Sequence, residues 1–230
     1  MINVPFQDFI SSLSEKDKKN FEDYSKIRGE QQYRIIYETL VKIDSNVSWN
    51  DVNSFVIFDK AIKDTLFKYL GTLEELIRND LIVRYDFALD SEYKEKEYHY
   101  FKSLPKCILK NQKPDEITGF YKYFSLNFGD MVSFIKEYDK AIGKYDVSKL
   151  DIIIDLRNNV MHHSPLLFNY NFESTSKETM EKIKVLISLL PDRYKTGEKS
   201  GIVNNLRCIN NKTKENISKA YYKCLLCEED

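Results

Sequence analysis

One apolar stripe, running from about Asp51 to Tyr85, constrains this chain more than any other feature of its sequence. Its members recur every three or four residues, the period of one face of an α-helix: they are Phe55, Phe58, Ile62, Leu66, Tyr69, Leu73, Leu76, Ile77, Leu81 and Val83. Only Gly71 interrupts the stripe, and a lone glycine costs a helix about 1 kcal/mol relative to alanine, too little to end so long a helix. The sequence therefore predicts one long helix over 51–85.

The rest of the chain also favours helices. Glycine and proline are scarce, at 7 and 5 of 230 residues, so few turns are specified and folds built from many hairpins are disfavoured. Further helices are predicted at 6–13, from Ser14, at 30–41, 116–123, 130–142 and 146–163, after Ser176, and from Val203 or Lys212, with 87–115 as the loosest part. We expect an all-α helical bundle in one domain over 1–230, with its core at about 50–190. The N-terminal helices (1–46) and a basic C-terminal segment (193–230) are expected to be appendages.

Composition narrows the class of protein. Hydrophobic residues make up 42% and charged residues 31% of the chain, a profile typical of globular rather than disordered proteins. No apolar run approaches the roughly 20 residues that span a bilayer, and the start of the sequence lacks the pattern of a secretory signal. Four cysteines are too few for a disulfide scaffold, and Cys224 and Cys227 have no second CxxC or nearby histidine to favour zinc. We expect a cytoplasmic protein without a membrane partner.

Two of the three histidines fall in one polar motif at the end of an isoleucine-rich helix, Asp155-Leu156-Arg157-Asn158-Asn159-Val160-Met161-His162-His163-Ser164-Pro165. The apolar residues before it suggest a central helix, where an arginine and histidines are costly unless paired or functional. Two interpretations are open at this point. Either Arg157 pairs with Asp155 or another acid while the histidines cap the helix C-terminus, or the group performs chemistry.

Helical geometry limits how the motif can act. Asn158 and His162 are four residues apart and share a face, so Asn158 is placed to orient the His162 ring by a hydrogen bond. Arg157 and His162 are five residues apart, about 140° around an ideal helix. One straight helix therefore cannot bring both onto one small group. They can meet where the helix frays at its end or where two copies of the motif face each other.

The spacing Arg157-Asn158-x-x-x-His162 resembles the RNxxxH signature of the HEPN superfamily, whose active members are metal-independent ribonucleases. The longer string 156–169, LRNNVMHHSPLLFN, is similar to the abortive-infection (Abi-like) branch. The segments 58–63 with 73–79 resemble the first long helix of that branch, and 126–131 its Phe-Gly segment, so the resemblance covers about 55–169 in the family's order. The chain departs from the pattern at Met161, at Ser164-Pro165 and at Phe168, and no departure removes a candidate catalytic group.

The resemblance implies a HEPN-type helical bundle and an antiviral-defence or toxin–antitoxin endoribonuclease. Such a hydrolase cleaves RNA by attack of the ribose 2′-OH on the adjacent phosphate, without a metal or other cofactor. His162 is then the general acid or base, since histidine titrates near neutral pH, and Arg157 is the phosphate and transition-state stabiliser. Asn158 orients His162, and His163 is either a second proton carrier or a structural cap. The family also implies a homodimer with a composite active site, and an antitoxin of protein or RNA as a candidate partner.

Two further groups of residues carry open alternatives. Glu74 and Arg78 are either a surface ion pair or cleft-lining residues that brace Arg157 or the substrate, and Asp59 has the same two interpretations. The segment 193–223 has eight basic and two acidic residues, a net charge of +6, although the whole chain has a net charge of -1. With Tyr194, Tyr221 and Tyr222 interleaved, it is either a solvated face or an RNA-binding surface, whose candidate contacts are Arg193, Lys195, Arg207, Lys212, Lys214 and Lys219.

Three functions compete on the sequence alone. The leading one is a HEPN endoribonuclease; the second is a non-catalytic HEPN-fold module that binds RNA or a nucleotide; the third is a helical interaction protein. The presence of both Arg157 and His162 favours the enzyme over the binding module.

Overall fold

The computed structural model describes residues 5–84, 127–136, 145–168, 176–197 and 201–226. These residues are mostly helical and none of them forms a strand, which confirms the all-α prediction. The helices are α1 (Phe6–Ser12), α2 (Glu15–Arg28), α3 (Glu30–Ile43), α4 (Trp49–Arg84), α5 (Phe128–Phe134), α6 (Val147–Met161), α7 (Ser176–Leu189), α8 (Asp192–Lys195), α9 (Ile202–Lys214) and a 3₁₀ helix (Lys219–Cys224). The predicted loose part at 87–115 and the predicted helix at 116–123 lie outside the described residues, as does the end of the one predicted at 130–142.

The chain divides into two compact units. The first comprises residues 1–69 and 156–230, and the second comprises residues 70–155. The segments predicted as appendages, 1–46 and 193–230, thus share the first unit with the histidine motif, and both contribute to its core. Tyr33 of α3 and Tyr221 of the 3₁₀ helix are fully buried.

The long helix α4 follows the apolar stripe that predicted it. Ser48 and Asp51 form reciprocal bonds at its start, with Asp51 N donating to Ser48 Oγ at 3.1 Å and Ser48 N donating to Asp51 Oδ2 at 3.0 Å. This pattern is a capping box, which satisfies amide groups that the first turn leaves without helical partners. Of the ten predicted stripe positions, Leu76 is half-buried and Val83 is 77% exposed. The other eight are buried.

Aromatic rings hold the N-terminal helices in the first unit. The rings of Phe9 in α1 and Tyr37 in α3 stack with centroids 4.4 Å apart, and Tyr33 stacks on Trp49 at 5.7 Å. Phe21 of α2 meets the same Trp49 edge-on at 6.1 Å. Each such ring buries a large apolar area, so these contacts explain why α1, α2 and α3 pack against the start of α4.

The C-terminal segment is tied to the same region through α4. The ring of Phe55 contacts Tyr221 edge-on at 6.4 Å. Asp51, which caps α4, also accepts a bond of 2.8 Å from Ser218 N. The predicted use of Tyr221 in base stacking is therefore wrong: its ring is 0% exposed because it fills the core beside Phe55.

In the second unit, the Phe-Gly segment begins a helix. Asn127 caps α5 by accepting from Asp130 N at 3.0 Å, and the Asp130 carboxylate accepts from Asn127 N at 3.4 Å. A Cβ atom on Gly129 would lie 3.2 Å from the Asn127 amide oxygen. Gly129 therefore leaves room for this cap. The Phe-Gly segment thus has a structural role, which is to begin α5.

Helix α6, which carries the motif, buries a single face. Leu150, Ile153, Leu156 and Val160 are at most 2% exposed, at the three- and four-residue steps of one stripe. Ile152, on another face, is 37% exposed. The expectation of a central helix is therefore wrong, because the Ile-Ile-Ile run extends beyond the face that packs. No described helix is long and apolar enough to cross a membrane.

Candidate functional site

The motif lies where α6 ends in a left-handed turn. His163 has a φ of 55°, a conformation that L-residues other than glycine adopt infrequently. Its amide donates to Val160 O at 3.2 Å, and the Ser164 amide donates to Asn159 O at 2.9 Å. These two bonds form the Schellman motif, in which a residue with positive φ reverses the chain and satisfies the last carbonyl groups of a helix. Pro165 follows the turn, as expected of a residue that cannot continue the helix.

A buried ion pair on α4 holds this turn from behind. Lys63 Nζ lies 2.7 Å from Asp59 Oδ2 and donates to His163 O at 3.2 Å. Asp59 Oδ1 accepts from Leu166 N at 2.8 Å. The pair therefore fixes the backbone on both sides of Pro165, so the direction in which the motif leaves α6 is set by α4.

Asp59 therefore has neither of the two roles predicted for it. It is 0% exposed, so it is not a surface ion pair and does not line an open cleft. Its two carboxylate oxygens accept from Leu166 N and, at 3.1 Å, from Gln32 Nε2, in addition to the bridge to Lys63. A buried carboxylate is stable only with such partners. Sequence reasoning missed Lys63, although a charged pair four residues apart beside the apolar stripe of α4 was a readable signal.

The candidate catalytic residues themselves remain accessible. Asn158, His162 and His163 are exposed, and Arg157 is half-exposed. Within the described part of the chain, the bond that joins Asn158 to His162 is the backbone bond from His162 N to Asn158 O, at 2.9 Å. The predicted bond from the Asn158 side chain to the His162 ring is not formed there. His162 follows Met161, the last residue of α6, and so lies in the turn rather than on the helix.

Glu74 and Arg78 form an ion pair of 2.9 Å within α4. Their side chains are 18% and 14% exposed, so the pair is more buried than an ordinary surface pair. Both residues belong to the second unit, whereas Arg157 belongs to the first. The proposed bracing of Arg157 by this pair stays a prediction.

The basic segment presents its charges on one side of α9. Arg207, Lys212 and Lys214 are exposed, while Leu206 and Asn210 on the other face are buried. Lys219, in the following 3₁₀ helix, is also exposed. Helix α9 is therefore amphipathic, and its outer face is cationic. Contact of this face with RNA stays a prediction.

The two remaining basic candidates, near α8, have local partners. The guanidinium of Arg193 lies 4.6 Å from the ring centroid of Tyr194, whose hydroxyl oxygen is 2.9 Å from Arg193 Nη2. Lys195 pairs with Asp192 at 3.1 Å. These contacts hold both cations close to α8, and such exposed pairs contribute little stability, about 0–1 kcal/mol.

A cavity of about 380 Å³ lies in the first unit beside the end of α6. Its buried wall is made by Ile35, Leu156, Leu166 and Phe168. The outer wall includes Asn159 and Ser164, whose backbones are joined by the bond from Ser164 N to Asn159 O. Glu178 and Lys182 of α7 complete this wall. Five of these residues lie within the string 156–169, but nothing in the sequence indicated a cavity there. The other walls, formed by Ile35, Glu178 and Lys182, are far from that string in the chain.

The cysteines and potential metal ligands add no further site in the described residues. Cys208 is exposed and Cys224 is buried, while Cys227 of the CxxC lies outside the described part of the chain. No group of three or more His, Cys, Asp or Glu side chains among the described residues could hold a metal ion.

Comparisons of the chain with protein-family models, with curated proteins and with solved structures found no match. The chemistry of the site therefore rests on its side chains. An exposed imidazole pair can donate and accept protons, and a guanidinium five residues before the first histidine can bind a phosphate through two parallel bonds. The turn that carries the histidines is held by buried bonds, so these groups are presented on a fixed frame.

Proposed function

We propose that the protein is a metal-independent endoribonuclease of the HEPN type, acting in the cytoplasm in phage defence or as a toxin. The observation that carries the proposal is the exposure of His162 and His163 on a turn whose backbone is fixed by the buried Asp59–Lys63 pair, with Asn158 exposed on the last turns of α6. A turn that existed only to end a helix would not need this set of proton-transfer and anion-binding side chains. The resemblance of 156–169 to the Abi-like branch supplies the reaction class.

In the proposed reaction a ribose 2′-OH loses its proton to a base and attacks the adjacent phosphorus atom. The bond to the 5′-oxygen breaks, that oxygen gains a proton from an acid, and the products are a 2′,3′-cyclic phosphate and a 5′-OH. His162 serves as the general acid or base, a role worth roughly 10²- to 10⁴-fold in rate. Arg157 stabilises the charge on the phosphate oxygens as it develops, and Asn158 orients the His162 ring once RNA is bound.

The reaction needs one acid and one base, and we propose that two chains supply them. Twofold dimers are the commonest assembly of soluble proteins, and two motifs facing each other would place two imidazoles and two guanidinium groups in one cleft. Light scattering, with cleavage measured on the same fractions, tests this directly. A monomer with full activity would contradict the composite site.

The decisive experiment incubates labelled single-stranded RNA with the purified chain in the presence of EDTA. We expect the wild type to produce fragments that end in a cyclic phosphate, and Arg157→Ala and His162→Ala to reduce the rate by at least 100-fold. Arg34→Ala and His99→Ala are matched controls, each removing the same type of side chain outside the motif, and should cleave like the wild type. Equal loss in the controls would contradict the assignment.

The second candidate is a HEPN-fold module that binds RNA or a nucleotide without cutting it, with Arg157 and His162 as phosphate contacts. The cationic outer face of α9 favours RNA binding in either case. This candidate predicts intact RNA in the EDTA assay and weaker RNA binding by Arg157→Ala. The third function, a helical interaction protein, predicts that neither substitution alters RNA binding or cleavage.

A role in defence or as a toxin is tested in cells. Expression of the wild type in a bacterial host should arrest growth and degrade RNA, and His162→Ala should do neither. The proposed antitoxin should bind the His162→Ala protein as tightly as the wild type. Normal growth with abundant folded wild-type protein would contradict an unrestrained toxin.

A further inference from the structure

The cavity beside the motif has the features of a ligand site. Its volume of about 380 Å³ falls within the range of roughly 300–1,000 Å³ that is typical of small-molecule pockets. Such pockets combine apolar walls with a few polar groups that fix the orientation of the ligand. Here the apolar wall is Ile35, Leu156, Leu166 and Phe168, all at most 5% exposed.

Two polar groups on the wall have no hydrogen-bond partner among the described residues. Within the described residues, neither the Asn159 side-chain amide nor the Ser164 hydroxyl makes a hydrogen bond, although the backbones of these residues are joined at 2.9 Å. The backbone bond fixes the positions of these two residues, and both line the cavity. An amide offers two hydrogen-bond donors and an acceptor, and a hydroxyl can both donate and accept a hydrogen bond. The cavity therefore has unused hydrogen-bonding capacity in a fixed place.

The charge at the rim argues against a phosphate or another anion as the occupant. Lys182 is bridged to Glu178 at 2.8 Å, so the cation on this wall is already neutralised by a carboxylate. A flat, uncharged ring with polar edges matches the walls better: its faces meet aliphatic and aromatic carbon, and its edge meets the Asn159 amide. A nucleobase has this chemistry.

We propose that this cavity binds one nucleobase of the substrate RNA, next to the phosphate that is cleaved. The assignment rests on the proposed function in one respect, namely that the base belongs to an RNA chain. Ser164 lines the cavity and directly follows His163 in the chain, so a base in the cavity and a phosphate at the motif belong to neighbouring positions of one strand. Asn159 pairs with the donor and acceptor on one edge of adenine, the pairing that an asparagine amide makes best.

The first test uses a free nucleotide and does not depend on cleavage. Adenosine 5′-monophosphate is titrated into the wild type, with ribose 5-phosphate as the probe that lacks a base, and binding is followed by NMR of the Asn159 and Ser164 amides. We expect adenosine monophosphate to shift these signals and ribose 5-phosphate to leave them unchanged. Ser164→Phe, which fills the cavity, should weaken binding at least tenfold. Ser188→Phe is the matched control, since this exposed serine of α7 lies outside the cavity, and should bind like the wild type.

The second test measures specificity. Four single-stranded oligonucleotides that differ only in the base beside the cleaved phosphate are compared by kcat/KM. We expect the wild type to prefer adenine by roughly tenfold or more, the discrimination that one paired base edge provides. Asn159→Leu keeps the shape of the side chain but cannot hydrogen-bond, and should reduce the preference to below threefold while the chain still unfolds cooperatively.

The outcomes separate this proposal from the proposed function. Cleavage that is abolished by His162→Ala but shows no base preference in the wild type, with no effect of Ser164→Phe on nucleotide binding, overturns the pocket and leaves the ribonuclease intact. Nucleotide binding that is lost in Ser164→Phe, with no cleavage of any RNA, supports a nucleobase pocket and overturns its assignment to RNA cleavage. Equal binding of adenosine monophosphate and ribose 5-phosphate overturns the nucleobase altogether.

Discussion

Lys63 Nζ donates to the carbonyl oxygen of His163 at 3.2 Å, across 100 residues of sequence. The same ammonium group is bridged to Asp59 at 2.7 Å, and neither side chain is more than 8% exposed. A buried charge that binds the backbone of a left-handed turn defines where that turn lies. The position of the two histidines therefore depends on α4 as much as on α6, the helix that carries most of the motif.

Breaking the pair should destabilise the fold. Lys63→Met keeps the length of the side chain but leaves the Asp59 carboxylate buried without its cation, which costs about 3–5 kcal/mol. In a chain of this size, such a loss lowers the thermal midpoint by roughly 10 °C. Denaturant unfolding and thermal unfolding followed by circular dichroism provide the two measurements.

The chain has a matched control for this variant. Lys60 and Asp64 form an ion pair of 2.9 Å on the same helix with the same four-residue spacing, but their side chains are 53% and 64% exposed. Lys60→Met should cost less than about 1 kcal/mol, because exposed pairs contribute little. Equal losses in Lys60→Met and Lys63→Met would show that burial of the Asp59–Lys63 pair does not determine its contribution.

His163 should tolerate glycine better than any branched residue. The left-handed conformation costs an L-residue roughly 1–2 kcal/mol, and glycine avoids this cost but has more entropy to lose on folding. We expect His163→Gly to match or exceed the wild type in stability by up to about 1 kcal/mol. His163→Val should be less stable by about 1–2 kcal/mol, and denaturant unfolding distinguishes the two variants.

The same glycine variant separates the two roles proposed for His163. If the imidazole carries a proton in the reaction, His163→Gly keeps the fold but lowers the cleavage rate by roughly 100-fold. Since histidine stands where glycine is favoured, we expect this loss. Unchanged cleavage would show that His163 serves as a helix cap alone.

Much of the helical framework could be predicted from local sequence. Ser14 caps α2, with its hydroxyl accepting from Asp17 N at 3.2 Å, and Gly29, with a φ of 83°, separates α2 from α3. Each of these signals depends on residues that are only a few positions apart. The same is true of the three- and four-residue steps that predicted α4. The apolar stripe of α4 overestimated burial at Val83, and the isoleucine run of α6 did so at Ile152, because an apolar side chain is buried only if another element packs on it.

The site was predictable only in part, because its frame is assembled over long range. The spacing of Arg157 and His162 predicted that a straight helix could not join them, and the structure places His162 in the turn beyond α6. The contacts from Lys63 to His163 and from Asp59 to Leu166 are 100 and 107 residues apart in sequence. The cavity likewise combines residues of α3, α6 and α7. The spacing of apolar residues within one helix cannot predict contacts between residues so far apart in the sequence.

Two glycines should respond in opposite ways to alanine. A Cβ on Gly71 would meet no atom of the described residues within 4 Å, so Gly71→Ala should stabilise α4 by about 1 kcal/mol through helix propensity. A Cβ on Gly201 would lie 2.6 Å from Lys195 O and 2.7 Å from Gly197 N. Backbone must move to admit it, and Gly201→Ala should destabilise the fold by about 1–3 kcal/mol.

Unfolding of both variants in denaturant, with the wild type alongside, checks the opposite signs. A shift to higher midpoint for Gly71→Ala and to lower midpoint for Gly201→Ala is the expected pair. Destabilisation by Gly71→Ala would indicate that α4 is bent or closely approached at this residue.

The start of α6 should depend on pH through Asp146. A hydrogen bond of 2.6 Å from the Ser148 hydroxyl, together with backbone bonds from Ser148 and Lys149, lowers the pKa of the Asp146 carboxyl. Because the folded pKa is below the unfolded one, the stabilisation is present above the ordinary aspartate pKa of about 3.9 and is lost as pH falls through the lowered value. Asp146→Ala should therefore lower the thermal midpoint at pH 7, and the difference from the wild type should shrink as the pH falls through the lowered pKa of Asp146.

The hydroxyl of Ser148 provides the control for this pH dependence. Ser148→Ala removes the largest cause of the shift, so the pKa of Asp146, measured by carboxyl NMR, should rise toward the ordinary aspartate value while the backbone bonds keep it below that value. An unchanged pKa in Ser148→Ala would assign the shift to the backbone amides. The cap would then act as any helix N-terminus does on a carboxylate, and the serine would be dispensable at the start of the helix that presents the motif.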